Sequence, residues 1–146
     1  MQKLNFSTSI NAPKEKVWKT LWDDSSYRKW TSVFGEGSYA DTDWKEGSKV
    51  LFLDGKGEGM VSKIETNRPN EFMSFKHLGM VKNGVEDTES ETVKGWAGAL
   101  ENYTLTEVNG TTELTVDMDI TEDFQSYFTE TFPKALEQVK VLSENN

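Results

Sequence analysis

His77 is the only imidazole in the chain. It is therefore the one side chain whose ordinary titration falls near neutral pH, and the natural candidate for a general acid or base. On simple alternation along Glu71–Leu78 it shares a side with Met73 and Phe75. Phe72 and Met73 are both apolar and point oppositely, so the inner face of this segment stays open. Glu101 and Tyr103, two residues apart, share a side with Leu105. If Leu105 is buried, the Glu101 carboxylate stands inside, or at the rim of, whatever that strand covers. His77, Glu101 and Tyr103 would then form a polar cluster able to orient a ligand. In an enzymatic reading His77 is acid or base and Tyr103 or Glu101 its hydrogen-bonding partner. The plain alternative is a histidine satisfied within the fold and a strand-end glutamate facing water.

Other patterns carry less chemistry. Asp117 and Asp119 are paired carboxylates, but alternation sets them opposite Leu114, Val116, Met118 and Ile120, on a solvated face. Glu86, Asp87, Glu89 and Glu91 lack the spacing of a calcium loop, so no metal site is expected. Gly55-x-Gly57-x-Gly59 precedes a strand-like run, which makes it a hairpin and not a dinucleotide fingerprint. The absence of cysteine excludes disulfides, thiolate metal sites and cysteine nucleophiles. No cofactor is implied. With 16 basic against 25 acidic residues the net charge is −9, which repels phosphate backbones and anionic membranes, so neither nucleic acid nor a membrane is an expected partner. Met1–Ser7 carries no apolar signal-like core, and the expected location is the cytoplasm.

The elements that must position these groups follow from periodicity. The 146 residues suit one domain, spanning 1–146. Leu4, Phe6, Thr8 and Ile10 alternate with polar residues and predict a strand. After Asn11-Ala12-Pro13, the residues Val17, Trp18, Leu21 and Trp22 recur at helical spacing, with Asn11 or Ala12 as cap. A second short helix carrying Tyr27 and Trp30 is expected behind Ser25 and Ser26. Short strands follow at Ser38–Thr42, Lys49–Leu53, Gly59–Thr66 and Glu71–Leu78, punctuated by turns. Gly79–Gly98 reads as a polar excursion with a helical turn near Ser90–Trp96. Asn109-Gly110 joins the clearest hairpin, Leu100–Val108 with Thr111–Thr121. A long helix ends the chain, capped at Asp123 and kinked or restarted at Pro133, with Tyr127, Phe128, Phe132, Leu136 and Val139 in its apolar stripe.

A curved antiparallel sheet wrapped round that last helix would bury the stripe, with the two short helices plugging one edge. Asn11-Ala12-Pro13-Lys14-Glu15-Lys16-Val17-Trp18-Lys19-Thr20-Leu21, followed by Trp30, resembles the opening of the START-like (SRPBCC) superfamily. The branch it is most similar to is named for the activator of a heat-shock chaperone's ATPase. Trp44-x-x-Gly47-Ser48 before a strand and Phe132-x-x-x-Leu136-x-x-Val139 are similar to later landmarks of that branch. The resemblance implies an α+β helix-grip fold, with a pocket between sheet and helix that in several members holds a small lipophilic molecule. It also implies, through the branch name alone, a chaperone partner.

On that reading Phe52, Phe75, His77, Glu101, Tyr103, Met118, Tyr127, Phe128 and Phe132 line the pocket as ligand-binding residues. If the helix instead sits tight on the sheet, the same aromatic residues are core. The expected function is non-catalytic binding of a small lipophilic ligand. The alternatives are a cyclase, dehydratase or hydrolase using the same pocket, and a co-chaperone-like interaction module. Face assignments that a single β-bulge would invert decide how polar the pocket is.

Overall fold

The computed structural model describes residues 1–145. Strand β1 (Gln2–Ile10) leads into helices α1 (Lys14–Trp22) and α2 (Asp24–Trp30) and a 3₁₀ turn at Thr31–Val33. Strands β2 (Tyr39–Asp41), β3 (Lys49–Leu53), β4 (Gly59–Arg68), β5 (Phe72–Lys82) and β6 (Val85–Asp87) follow. Helix α3 (Glu91–Lys94), strands β7 (Leu100–Val108) and β8 (Thr111–Ile120), and helix α4 (Glu122–Glu144) complete the order. The strands form one antiparallel, curved and unclosed sheet in the order β1-β8-β7-β5-β4-β3-β2, with β6 beside the far end of β5. This is the helix-grip arrangement expected from the sequence.

Burial follows the sequence pattern. β1 alternates exposed residues with Leu4, Phe6, Thr8 and the fully buried Ile10. Helix α4 lies on β1 and against α1 and α2, burying Phe132, Ala135, Leu136 and Val139. Its far end is clasped to the start of the chain. Lys140 Nζ donates to the Ser9 carbonyl at 2.7 Å, and Glu144 accepts from the Asn11 amide at 2.8 Å. The short helices are tied back by buried bonds, from Trp30 Nε1 to the Leu21 carbonyl (3.1 Å) and from Thr112 Oγ1 to the Ala12 carbonyl (2.7 Å). Among the described residues no helix is long and apolar enough to cross a membrane.

Several local expectations are corrected. β5 does not end at Leu78: it continues to Lys82, turns at Asn83-Gly84 (φ 53° and 76°) and pairs with β6. Asn83-Gly84 is chemically the same turn as Asn109-Gly110 (φ 54° and 81°), both needing positive φ at two successive residues. Pro13 occupies the N-cap position of α1, and α2 starts at Asp24 without a side-chain cap. α4 begins after Thr121, not at Asp123, and runs through Pro133 without a restart. Proline there removes one backbone bond. Phe132 and Leu136, buried on either side of it, hold the helix in place.

Candidate functional site

A cleft of about 340 Å³ lies between the concave face of the sheet and the helices. Its floor is Phe75 and His77 of β5 with Glu101 and Tyr103 of β7. Register explains the grouping: Phe75 pairs with Glu101 and Met73 with Tyr103, so these residues project on the same side of neighbouring strands. Trp22, Tyr27 and Trp30 from α1 and α2 make one wall. Phe128 and Phe132 of α4, with Tyr127 and Phe34 nearer the rim, make another. Phe52 and Met60, cross-strand partners in β3 and β4, face them.

The aromatic walls support one another. The Trp22 ring lies 5.0 Å from Tyr103, 5.4 Å from Phe75 and 5.3 Å from Trp44, the first two edge-on. Phe52 stands edge-on to Phe75 at 5.0 Å. Each such pair contributes about 0.5–1.5 kcal/mol beyond area burial, enough to fix the walls before any ligand arrives. Phe132 is wedged between Phe6 and Phe34, both at 5.2 Å, so this part of the α4 wall is packed core. The Trp22 indole nitrogen is buried without a hydrogen-bond partner among the described residues.

At the floor the polar groups form a chain. Ser62 Oγ lies 2.6 Å from His77 Nδ1, His77 Nε2 lies 3.0 Å from Glu101 Oε1, and the Tyr103 hydroxyl donates to Glu101 Oε2. A carboxylate only accepts, so Nε2 carries the proton toward Glu101, and the Ser62 hydroxyl is the partner of Nδ1. Burial, then the Glu101 charge and the hydrogen bond to it, push the Tyr103 phenol well above its usual range. Burial and the same charge raise Tyr27. Both tyrosines therefore stay protonated, and Glu101 is the anionic end of the chain. Ser62 is fully buried and does not line the cleft, so it is no nucleophile for a bound molecule. Both nitrogens of His77 are engaged. The arrangement holds a carboxylate in place under an apolar roof.

A bulge makes this chain possible. Val61 pairs with Gly79, but the next partner of β4 is Ser62 with His77, leaving Leu78 bulged out. Without it Ser62 would pair with Leu78 and the histidine would lose its rear partner. Burial settles the open face of β5: Met73, Phe75 and His77 point inward.

Of the nine residues expected to line the pocket, Phe52, Phe75, His77, Glu101, Tyr103, Tyr127, Phe128 and Phe132 surround the cleft. Met118 does not. It pairs with Glu101 on one side and Leu4 on the other, one strand further toward β1, where α4 lies, and is 3% exposed in the core. Trp22, Tyr27 and Trp30, outside the expected lining set, also line the cleft while packing the short helices against the sheet edge. The sequence pattern gave no signal for Asp54 and Glu58 at the rim, which sit on the β3–β4 turn. Asp117 and Asp119 lie on the outer face as expected, yet are not merely solvated: Asp117 accepts from Asn102 and Asp119 from the Leu100 amide. Among the described residues no group of three or more His, Asp or Glu could hold a metal ion.

Comparison with known proteins agrees with this fold. No curated protein sequence matches the chain. The Aha1 dimer from Colwellia psychrerythraea superposes with a TM-score of 0.73 at 21% identity, covering 99% of this chain and 98% of that one. CalU16 from Micromonospora echinospora gives 0.68 at 14% identity, covering 98% and 76%. DynU16, from the dynemicin biosynthetic locus, gives 0.72 at 15% identity over 99% of this chain, which spans about half (48%) of that protein. At these identities the likeness is one of fold. The sequence profile described as "Activator of Hsp90 ATPase homolog 1-like protein" matches residues 11–144, and the chain belongs to that family, within the START-like superfamily.

Proposed function

We propose that this chain is a single-domain binding protein that holds a small lipophilic molecule between the sheet and α4, without chemical turnover. The observation that carries the reading is the cleft of about 340 Å³ with eleven aromatic side chains in its lining. That volume lies at the small end of the range for small-molecule sites, which are mostly apolar with a few placed polar groups. Phe52, Phe75, His77, Glu101, Tyr103, Tyr127, Phe128 and Phe132 are the proposed contacts, joined by Trp22, Tyr27 and Trp30. The origin of DynU16 in a biosynthetic locus fits a fold used around small molecules.

Binding is favoured over catalysis because the one candidate acid–base group has both nitrogens occupied, one by a hydroxyl sealed behind it. The test is a thermal-shift screen against sterols, fatty acids, flavonoids, polyketides and heterocyclic amines, with native mass spectrometry of the protein as purified. A ligand at 100 times its dissociation constant adds about 2.7 kcal/mol. For a domain of this length that is a rise of roughly 5–10 °C. No shift with any compound, together with a mass showing nothing bound, would overturn the reading and move weight to a protein partner such as a chaperone.

A further inference from the structure

We propose that the molecule this cleft selects is a lipophilic amine, bound as its ammonium against Glu101. The inference rests on the ligand-binding reading above and goes further by fixing the charge of the ligand. Three carboxylates line the cleft, Asp54, Glu58 and Glu101, and among the described residues no lysine or arginine does. His77, the one basic group there, is engaged on both ring nitrogens. A fatty acid or other carboxylate would bring a second anion beside Glu101 with no lysine or arginine in the lining to pair it, a destabilising arrangement in a poorly hydrated site.

An ammonium meets the opposite situation. The Glu101 side chain lines the cleft and is 22% exposed. His77 and Tyr103 use one acceptor position on each oxygen, and a carboxylate offers roughly four. A donor from the ligand would take one of the positions left, as a charge-assisted bond. Trp22, Tyr27 and Phe75 line the same space, and a ring that met the ammonium with its face would attract it. The two rim carboxylates and the net charge of −9 draw a cation toward the opening. Asp54 accepts the Lys56 and Glu58 amides, which holds its carboxyl below the usual range and keeps it charged.

The experiment is calorimetric titration of the whole chain with three probes on one frame: naphthylmethylamine, naphthylmethanol and naphthoate. The amine is expected to bind about tenfold tighter than the alcohol and about a hundred-fold tighter than the carboxylate, the scale of a charge-assisted bond. Glu101→Gln is expected to bring amine and alcohol within about threefold of each other while the alcohol still binds. Asp54→Asn combined with Glu58→Gln, at the rim and away from the buried chain, keeps the test decisive if Glu101→Gln fails to fold. That variant should weaken amine binding severalfold in the same titration, and more than it weakens alcohol binding; an equal effect on both would count against the amine assignment. Binding of all three probes with equal affinity, or naphthoate tightest, would overturn the amine assignment while leaving the binding reading intact. Binding of none of them, with no hit in the wider panel, would overturn both.

Discussion

Replacing Ser62 with alanine removes one hydroxyl from a position with no exposure at all, 2.6 Å from His77 Nδ1. The ring nitrogen left behind has no water to turn to, because Ser62 seals it from the rear and the ring itself is only 7% exposed. Leaving a buried acceptor unsatisfied costs about 1–3 kcal/mol. At about 2–4 °C per kcal/mol for a chain of this length, the melting temperature should fall by roughly 2–12 °C. The second consequence is specific to the chain of contacts. As His77 is the only imidazole, its two nitrogens are read without overlap by long-range proton–nitrogen NMR. In the parent protein the Nδ1 signal should report the hydrogen bond to Ser62 and the Nε2 signal the hydrogen bond to Glu101. In Ser62→Ala the Nδ1 signal should move while Nε2, still 3.0 Å from Glu101, keeps its proton. A loss of stability below about 0.5 kcal/mol with an unchanged Nδ1 signal would refute the reasoning, since it would mean that the ring never depended on Ser62.

Two further outcomes follow from the same principles. Ser143 is also fully buried, but its hydroxyl has no partner among the described residues; Ser143→Ala in α4 should therefore raise stability by up to about 1 kcal/mol, opposite in sign to Ser62→Ala, as measured by urea unfolding. Tyr27 and Tyr103 have phenols raised above 10.0 chiefly by burial. Between that value and their folded-state values the native protein binds more protons than the unfolded chain. Their contribution is thus complete below about pH 10 and lost as pH rises beyond it. Melting temperature should fall steeply above about pH 10, and less steeply in Tyr27→Phe; a flat profile to about pH 11 would contradict the burial of these groups.

How much of this was legible in the sequence depended on whether local rules governed the outcome. The alternation Leu4-Phe6-Thr8-Ile10, the Asn109-Gly110 turn and the stripe of α4 are set by short-range chemistry, and each element formed where the pattern pointed. Glu101 and Tyr103 on one side followed from spacing alone. The tie between His77 and Ser62 did not, because it needs a bulge at Leu78 that no residue type announces. Met118 was misplaced for a related reason: alternation tells which side a residue faces, but not that β8 sits one strand beyond the cleft, toward the edge on which α4 packs. The rim carboxylates Asp54 and Glu58 belong to a turn, where periodicity carries no information. Asn83-Gly84 was a missed signal, since the same dipeptide was read correctly at Asn109-Gly110. The acidic run after it supplies the short partner strand, with Glu86 and Asp87 paired to Val81 and Met80.

The most direct test of ligand binding in the cleft is an NMR titration of isotope-labelled protein with whichever panel compound gives the largest thermal shift. The expected result is a saturable change, with one dissociation constant, in the His77 imidazole at the floor of the cleft and the Trp22 indole in its wall. Exposed residues on other parts of the surface, such as Val85 and Val108, should stay unchanged. Saturation that leaves His77 and Trp22 unmoved, or shifts confined to those exposed positions, would contradict the claim that the cleft is where this protein holds its ligand.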